Sequence, residues 1–270
     1  MLNKVGFGVI GVGFWGRNHS RVISELNNAD LIAVCDKNPI RAKTVGEKYN
    51  VDWYTTTNQM LERPNIEAVC ICTPTISHAE IALKAIEYEK SILVEKPIAD
   101  TVTKAKEIIR KAEQNNVLMM TGFLERFNPG TKRLKCLIQS GRLGDVVLVF
   151  ARRIGSWPQR TGDVGVIKDL AIHDIDITRF ILEEEPISIY ARAGRLVHNY
   201  EDYAQIMMGF KGIKTAFIEA NWLTPKKNRL LTITGSKAVA TVNYLTQEIT
   251  IEDNFRLEQP KNKWEEPLML

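Results

Sequence analysis

Three short segments of the sequence combine residue types that do chemistry. Gly11-Val12-Gly13-Phe14-Trp15-Gly16 has the spacing G-x-G-x-x-G directly after an apolar run. Glycines so placed permit a tight turn and let backbone N–H groups reach a pyrophosphate at the N-terminus of the helix that follows. Asp36 ends the next apolar run, 20 residues past Gly16, where its carboxylate would accept hydrogen bonds from ribose hydroxyls. This pairing predicts a dinucleotide site. Asp36 would repel a 2′-phosphate, so NAD is expected over NADP, although Lys37 and Arg41 are cations near enough to leave room for the second cofactor.

The second and third segments offer groups that move protons. Cys72-Thr73-Pro74-Thr75-Ile76-Ser77-His78 and Glu95-Lys96-Pro97 each follow an apolar run, so they fall at strand ends on the edge where a doubly wound sheet binds ligands. Lys96 could donate a hydrogen bond to a substrate oxygen, or take its proton if a nearby cofactor cation lowers its basicity; a plain surface lysine is the competing reading. His78 reads as a residue that fixes its loop. In Lys168-Asp169-Leu170-Ala171-Ile172-His173-Asp174-Ile175-Asp176, helical spacing puts Asp169, His173 and Asp176 on one face of an otherwise apolar helix. A carboxylate one turn from an imidazole orients it as a general base for a hydroxyl. A satisfied core histidine and a metal pair compete. A histidine-aspartate metal site would need further upstream histidines, and only His19 and His78 exist there, both in the nucleotide-binding half. The Cys70-x-Cys72 pair is too closely spaced for zinc. No metal is expected.

The elements that must carry these groups alternate through the first half of the chain. Apolar runs at 4–10, 31–35, 68–72, 91–94 and 117–120 are separated by helical patterns at 14–27, 39–48, 77–89 and 101–115. Continuous apolar strands between amphipathic helices predict a parallel sheet covered on both faces, a doubly wound α/β domain. Pro39 after Asn38 suits a helix start, and Ser77 suits an N-cap. After Gly122 the rhythm becomes helix (129–139), strand (145–154), helix (168–182) and then six strand-like segments between 187 and 253. This half is expected to be α+β on a large, mainly antiparallel sheet, giving domains 1–122 and 123–270.

Composition narrows the function. The 270 residues are 44% hydrophobic and 25% charged with a net charge of +4, which suits a soluble globular chain and is too mild to suggest nucleic-acid binding by bulk charge. The N-terminus lacks the signature of a secretory signal, so a cytoplasmic location is expected. Cys35, Cys70, Cys72 and Cys136 read as small, reduced core residues. From Arg126 to Gly162 the charged residues are Arg126, Lys132, Arg133, Lys135, Arg142, Arg152, Arg153 and Arg160 against Asp145 alone. Arg153 and Arg160, near Trp157, are suited to a diphosphate.

Taken together, GVIGVGFWG at 8–16, CTPTISH at 72–78, VEKPIAD at 94–100 and DLAIHDID at 169–176 resemble the glucose-fructose oxidoreductase, inositol dehydrogenase and MocA family, across nearly the whole chain. The resemblance implies an N-terminal Rossmann domain, NAD(P)-dependent oxidation or reduction of a sugar or cyclitol hydroxyl, and Lys96, Asp169 and His173 at the reacting carbon. It implies cofactor contacts from Gly11, Gly13, Phe14, Trp15, Gly16, Asp36, Arg41, Thr73, Pro74, His78, Glu95 and Lys96. Substrate contacts would come from Arg126, Asn128, Arg153, Trp157, Arg160 and His173. GFLERFNPG at 122–130, SWPQRTGDVGVIKDLAIHDID at 156–176 and FIEANWLTP at 217–225 are similar to UDP-N-acetylglucosamine 3-dehydrogenases within that family. Alternatives are dehydrogenation of inositol or another non-nucleotide sugar, and a non-catalytic NAD-binding sensor. Members usually continue past a WEEPL-like segment into a terminal helix that this sequence, ending at Leu270, lacks. Strands such as YAQIMMGF and KTAFIEAN are apolar at both parities, and two helices can cover one sheet face only. The second face is therefore expected to form a homodimer or homotetramer.

Overall fold

The computed structural model describes residues 4–157 and 163–253. The WEEPL-like segment and Arg160 lie outside them. The chain forms two compact units: Met1–Leu124 with Pro158–His173 and Leu196–Glu201, and Glu125–Trp157 with Asp174–Arg195 and Asp202–Leu270. The change of unit falls within two residues of Gly122, but the segment bearing Asp169 and His173 returns to the first unit.

In the first unit β1 (Val5–Ile10), β2 (Ala29–Cys35), β3 (Asp52–Tyr54), β4 (Ala68–Ile71), β5 (Ser91–Val94) and β6 (Met119–Thr121) make one parallel sheet in the order β3-β2-β1-β4-β5-β6. Strand alternation sends Val9, Val34 and Cys70 to one face, against Ile23 of α1 (Phe14–Glu25) and Val45 of α2 (Pro39–Tyr49). Ile10, Cys35 and Ile71 go to the other, against Leu61 of α3 (Thr57–Leu61), Ala82 and Ile86 of α4 (His78–Glu87) and Ile108 of α5 (Val102–Gln114). This is the doubly wound arrangement expected. Strand order reverses between β1 and β4, which puts a crevice at their C-terminal ends. β3 and α3 escape the sequence reading because a three-residue strand and a five-residue helix are too short to show a period.

The second unit holds α6 (Pro129–Gln139), β7 (Val146–Ser156), α7 (Ile172–Leu182, entered from the first unit), β8 (Ser188–Gly194), β9 (Tyr203–Gly209), β10 (Thr215–Asn221), β11 (Leu223–Gly235), β12 (Ala238–Asn243) and β13 (Glu248–Asp253). The seven strands order as β13-β12-β11-β7-β10-β9-β8, antiparallel except for the parallel β7–β10 pair. One face is buried through Ala204, Ile206, Met208, Ala216, Ile218 and Ala220. α6 lies on that face, with Gly130 against Val242, and α7 is held to it through Asp174 and Arg153.

Three expectations need correction. Residues 168–182 are not one α-helix: Ile167–Ala171 form a wider π turn before α7 begins. Ser77 stands at the N-cap position of α4 but makes no side-chain cap bond, because its hydroxyl donates back to the Pro74 carbonyl (2.8 Å) and lies 2.9 Å from Thr73 Oγ1. Cys136 is not a core residue but is exposed on α6, while Cys35 and Cys70 are buried.

Candidate active site

The glycine loop has the shape its spacing implies. Gly11 sits at φ +84°, and a Cβ there would meet Thr73 and Cys72 atoms at 2.7–2.9 Å. A Cβ on Gly16 would run into the Gly11 carbonyl, so α1 could not start where it does with any side chain at that position. Gly13 has nothing within 4 Å of its Cβ position, and α1 starts with no side-chain cap and no acidic residue in its first turn. An open, electropositive helix N-terminus is a cradle that fits a pyrophosphate. Phe14, exposed, and Trp15 stand edge to face at this turn with ring centroids 5.4 Å apart.

Asp36 is placed by β2 and 5% exposed. One carboxylate oxygen accepts the Val12 N–H (3.0 Å) and the other the Asn38 N–H (2.9 Å), which locks the glycine loop to the start of α2. Arg41 Nη1 reaches both oxygens, at 3.2 and 3.4 Å, from a side chain 42% exposed. Asn38 caps α2 through its side-chain oxygen and the Arg41 N–H, with Pro39 at the first turn. The side-chain partner of Asp36 is thus a partly exposed arginine, which a ribose could displace.

At the neighbouring strand ends the groups divide between contact and support. Thr73 borders the glycine loop, and Pro74 beside it is exposed. His78 is 1% exposed and both ring nitrogens lie 2.8 Å from carbonyl oxygens, those of Thr73 and Pro97. Its expected contact with a cofactor is therefore not available, and it ties the two loops together instead. Glu95, 7% exposed, sits 2.7 Å from His19 Nε2 and accepts the Lys96 N–H at 3.3 Å. Glycine at 122 leaves room for that carboxylate. Sequence reading assigned His19 no role beyond the nucleotide-binding half, since only the fold brings α1 against the end of β5.

Lys96 and Asp169, 73 residues apart, meet in the first unit. Lys96 Nζ donates to the Asp169 carbonyl at 2.8 Å and to its carboxylate at 3.0 Å, with both side chains largely buried (8% and 12% exposed). His173 follows one turn later, at the start of α7. An ammonium held this way is fixed in direction, and charge-assisted bonds in a desolvated place are strong ones. A positioned lysine and an imidazole at one helix start are what oxidation of an alcohol requires: one group to stabilise the developing alkoxide and one to take the proton.

The third member of the expected polar stripe has another partner. Asp176 takes a bidentate pair from Arg126, through Nε at 2.7 Å and through Nη2, and Asp174 is equally buried. Arg153 is the main correction among the substrate-binding expectations. It is 2% exposed; Nε and Nη2 bond Asp174 at 2.9 Å each, and Nη1 bonds Glu125 at 2.9 Å. Its guanidinium stands 5.2 Å from the Tyr244 ring and has no face left for a diphosphate. Those carboxylates raise its basicity against the opposing effect of burial. Asn128 is also committed, capping α6 through Gly130 N–H (2.9 Å) and donating to Glu125 (3.2 Å). Trp157 stands edge to face with Trp222 at 4.7 Å.

Fold and site together define an NAD-binding oxidoreductase of two parts. The chain belongs to the Gfo/Idh/MocA family: residues 5–123 match the oxidoreductase family's NAD-binding Rossmann fold and residues 131–241 its C-terminal domain. It is 30% identical over 261 residues to an inositol 2-dehydrogenase of Rhizobium meliloti, covering 92% of this chain and 78% of that protein. It is 32% identical over 216 residues to a scyllo-inositol 2-dehydrogenase (NAD(+)) of Bacillus subtilis, covering 76% and 62%. A solved UDP-N-acetylglucosamine 3-dehydrogenase, GnnA from Acidithiobacillus ferrooxidans, superposes with a TM-score of 0.85 at 27% identity, over 93% of this chain and 80% of its own. Among the described residues no helix is long and apolar enough to cross a membrane.

Proposed function

We propose that the protein oxidises a ring hydroxyl of a sugar, with C3 of UDP-N-acetylglucosamine as the substrate position. The observation that carries the dehydrogenase reading is the Lys96 ammonium held by both oxygen acceptors of Asp169, one turn before His173. The glycine loop and Asp36 would hold NAD, which would supply the hydride acceptor for the ring carbon. Lys96 holds the hydroxyl oxygen and stabilises its developing negative charge, Asp169 orients Lys96 and also His173 one turn on, and His173 removes the hydroxyl proton. Arg126 and Trp157 remain candidates for the substrate's remote end, as does Arg160, which lies outside the described residues.

The UDP-sugar reading rests on the likeness to GnnA and on the segments around 122–130 and 156–176. A second reading, oxidation of an inositol, is favoured by the 30% identity to the inositol 2-dehydrogenase and by Arg153 being closed to a diphosphate. NADH formation across a panel of UDP-sugars, inositols and free hexoses separates them. Turnover of inositol without turnover of any nucleotide sugar overturns the first reading, and NAD binding without any turnover supports a sensor instead.

We also propose a homodimer or homotetramer built on the second sheet. Tyr190, Met207, Phe217 and Phe150 are laterally paired across β8, β9, β10 and β7, and all are exposed, Tyr190 by 63% and the others by about two fifths. A row of four large apolar side chains on the face that α6 and α7 leave open supports packing of two such faces.

A further inference from the structure

The π turn that bears Asp169 has an anchor outside every motif in the sequence. Val166 N–H donates to the Glu201 carbonyl at 2.9 Å, and Ile167 N–H donates to Glu201 Oε1 at 3.3 Å. The first N–H groups of a helical segment have no partner within it, so one residue here satisfies two of them, once through its backbone and once through its side chain. Gly165 is needed for this: a Cβ there would fall on the Glu201 carboxylate. On the next residue along, Lys168 Nζ donates to the Asp100 carbonyl at 2.8 Å, tying the same turn to the loop that follows Lys96.

We propose that Glu201 is a positioning residue for Lys96, acting through Asp169; this rests on the dehydrogenase reading of that site. A π turn moves backbone bonding from i+4 to i+5 and is uncommon unless its surroundings impose it. Here it turns both the carbonyl and the carboxylate of Asp169 toward Lys96 Nζ. Glu201 fixes where the turn starts, and its carboxylate also favours the positive end of the segment. Without the side-chain bond the turn can relax toward an ordinary α-helix, which rotates Asp169 away and frees the ammonium. All these residues, from 96 to 201, belong to the first unit.

The test compares Glu201→Ala with Glu201→Gln, whose amide oxygen still accepts the Ile167 N–H. In Glu201→Ala we expect the Ile167 amide to exchange with deuterium roughly tenfold faster, and Lys96 to be acetylated faster under native conditions by a similar factor. NAD affinity should be unchanged. With a substrate from the panel above, kcat should fall by at least about tenfold with KM nearly constant, because misplacement by an ångström costs on that order or more. Glu201→Gln should restore all of these to within about twofold. Unchanged Ile167 exchange and Lys96 acetylation in Glu201→Ala overturn the proposal, as does faster acetylation with kcat unaltered. Neither exchange nor acetylation needs turnover, so a wild-type protein that oxidises no sugar or inositol refutes the dehydrogenase reading separately.

Discussion

Replacing Arg153 by Met isolates the consequence of finding a buried arginine where sequence reasoning wanted an exposed one. The substitution keeps most of the aliphatic volume and removes three bonds of 2.9 Å, two from Asp174 and one from Glu125. Asp174 is only 1% exposed, so its carboxylate is left charged and unpaired in the interior. Breaking a buried pair from one side costs about 3–5 kcal/mol. For a chain of this size each kcal/mol lowers the melting temperature by about 2–4 °C, which gives a drop of about 6–20 °C. Scanning calorimetry is the assay, because two compact units need not melt as one transition and the loss should fall on the transition of the second. The double variant R153M/D174L removes both charges and should recover most of the loss, since paired buried ions are often no better than apolar residues of similar size. A melting temperature within about 2 °C of wild type for R153M, or no recovery in the double variant, would refute the reasoning. A raised KM for a UDP-sugar with stability intact would show instead that Arg153 binds the diphosphate.

Three other outcomes follow from the same geometry. Asp36→Ala should weaken NAD binding roughly tenfold to a hundredfold and narrow its preference over NADP, because charge-assisted bonds are lost and the repulsion of a 2′-phosphate goes with them; titrating both cofactors checks this, and tighter NADP than NAD binding in the unmutated protein would contradict it. Phe217→Arg puts a charge in the middle of the open sheet face and should give monomers by light scattering, whereas an unchanged mass means the assembly uses another surface. Burial pushes the thiols of Cys35 and Cys70 up to about 12, helped by the negative charges of Asp36 and Glu95 respectively, and burial also holds the Cys72 thiol well above its ordinary value. Thiolates are the reactive form, so at neutral pH a disulfide reagent should modify Cys136 and spare those three until the protein is denatured.

The glycine loop, Asp36 and the strand-helix alternation were legible because local spacing alone fixes them: a turn that admits no Cβ, an acid at a strand end, continuous apolar runs that give way to a period of 3.6. Lys96 and Asp169 were legible as candidates, and it is the fold that joins them across 73 residues. What stayed hidden depends on partners distant in sequence. Arg153 looks like a ligand-binding cation until the fold sets Asp174 and Glu125 against it. His78 looks available until the Thr73 and Pro97 carbonyls close on both its nitrogens. The π turn at Ile167–Ala171 has no local signature, and Glu201, which bonds its first N–H, lies more than 30 residues on. The parallel β7–β10 pair is equally invisible to periodicity, because alternation along a strand is the same whichever way its neighbour runs.

The proposed reaction sends a hydride from a substrate ring carbon to NAD at Lys96, Asp169 and His173. It is tested most directly by supplying UDP-N-acetylglucosamine, or the inositol that the panel selects, deuterated at the reacting carbon, and analysing the nicotinamide by mass spectrometry. One deuterium is expected on the reduced nicotinamide from the wild-type protein, with its transfer slowed at least about a hundredfold in Lys96→Met at unchanged NAD affinity. NADH free of deuterium, or full transfer by Lys96→Met, would contradict it.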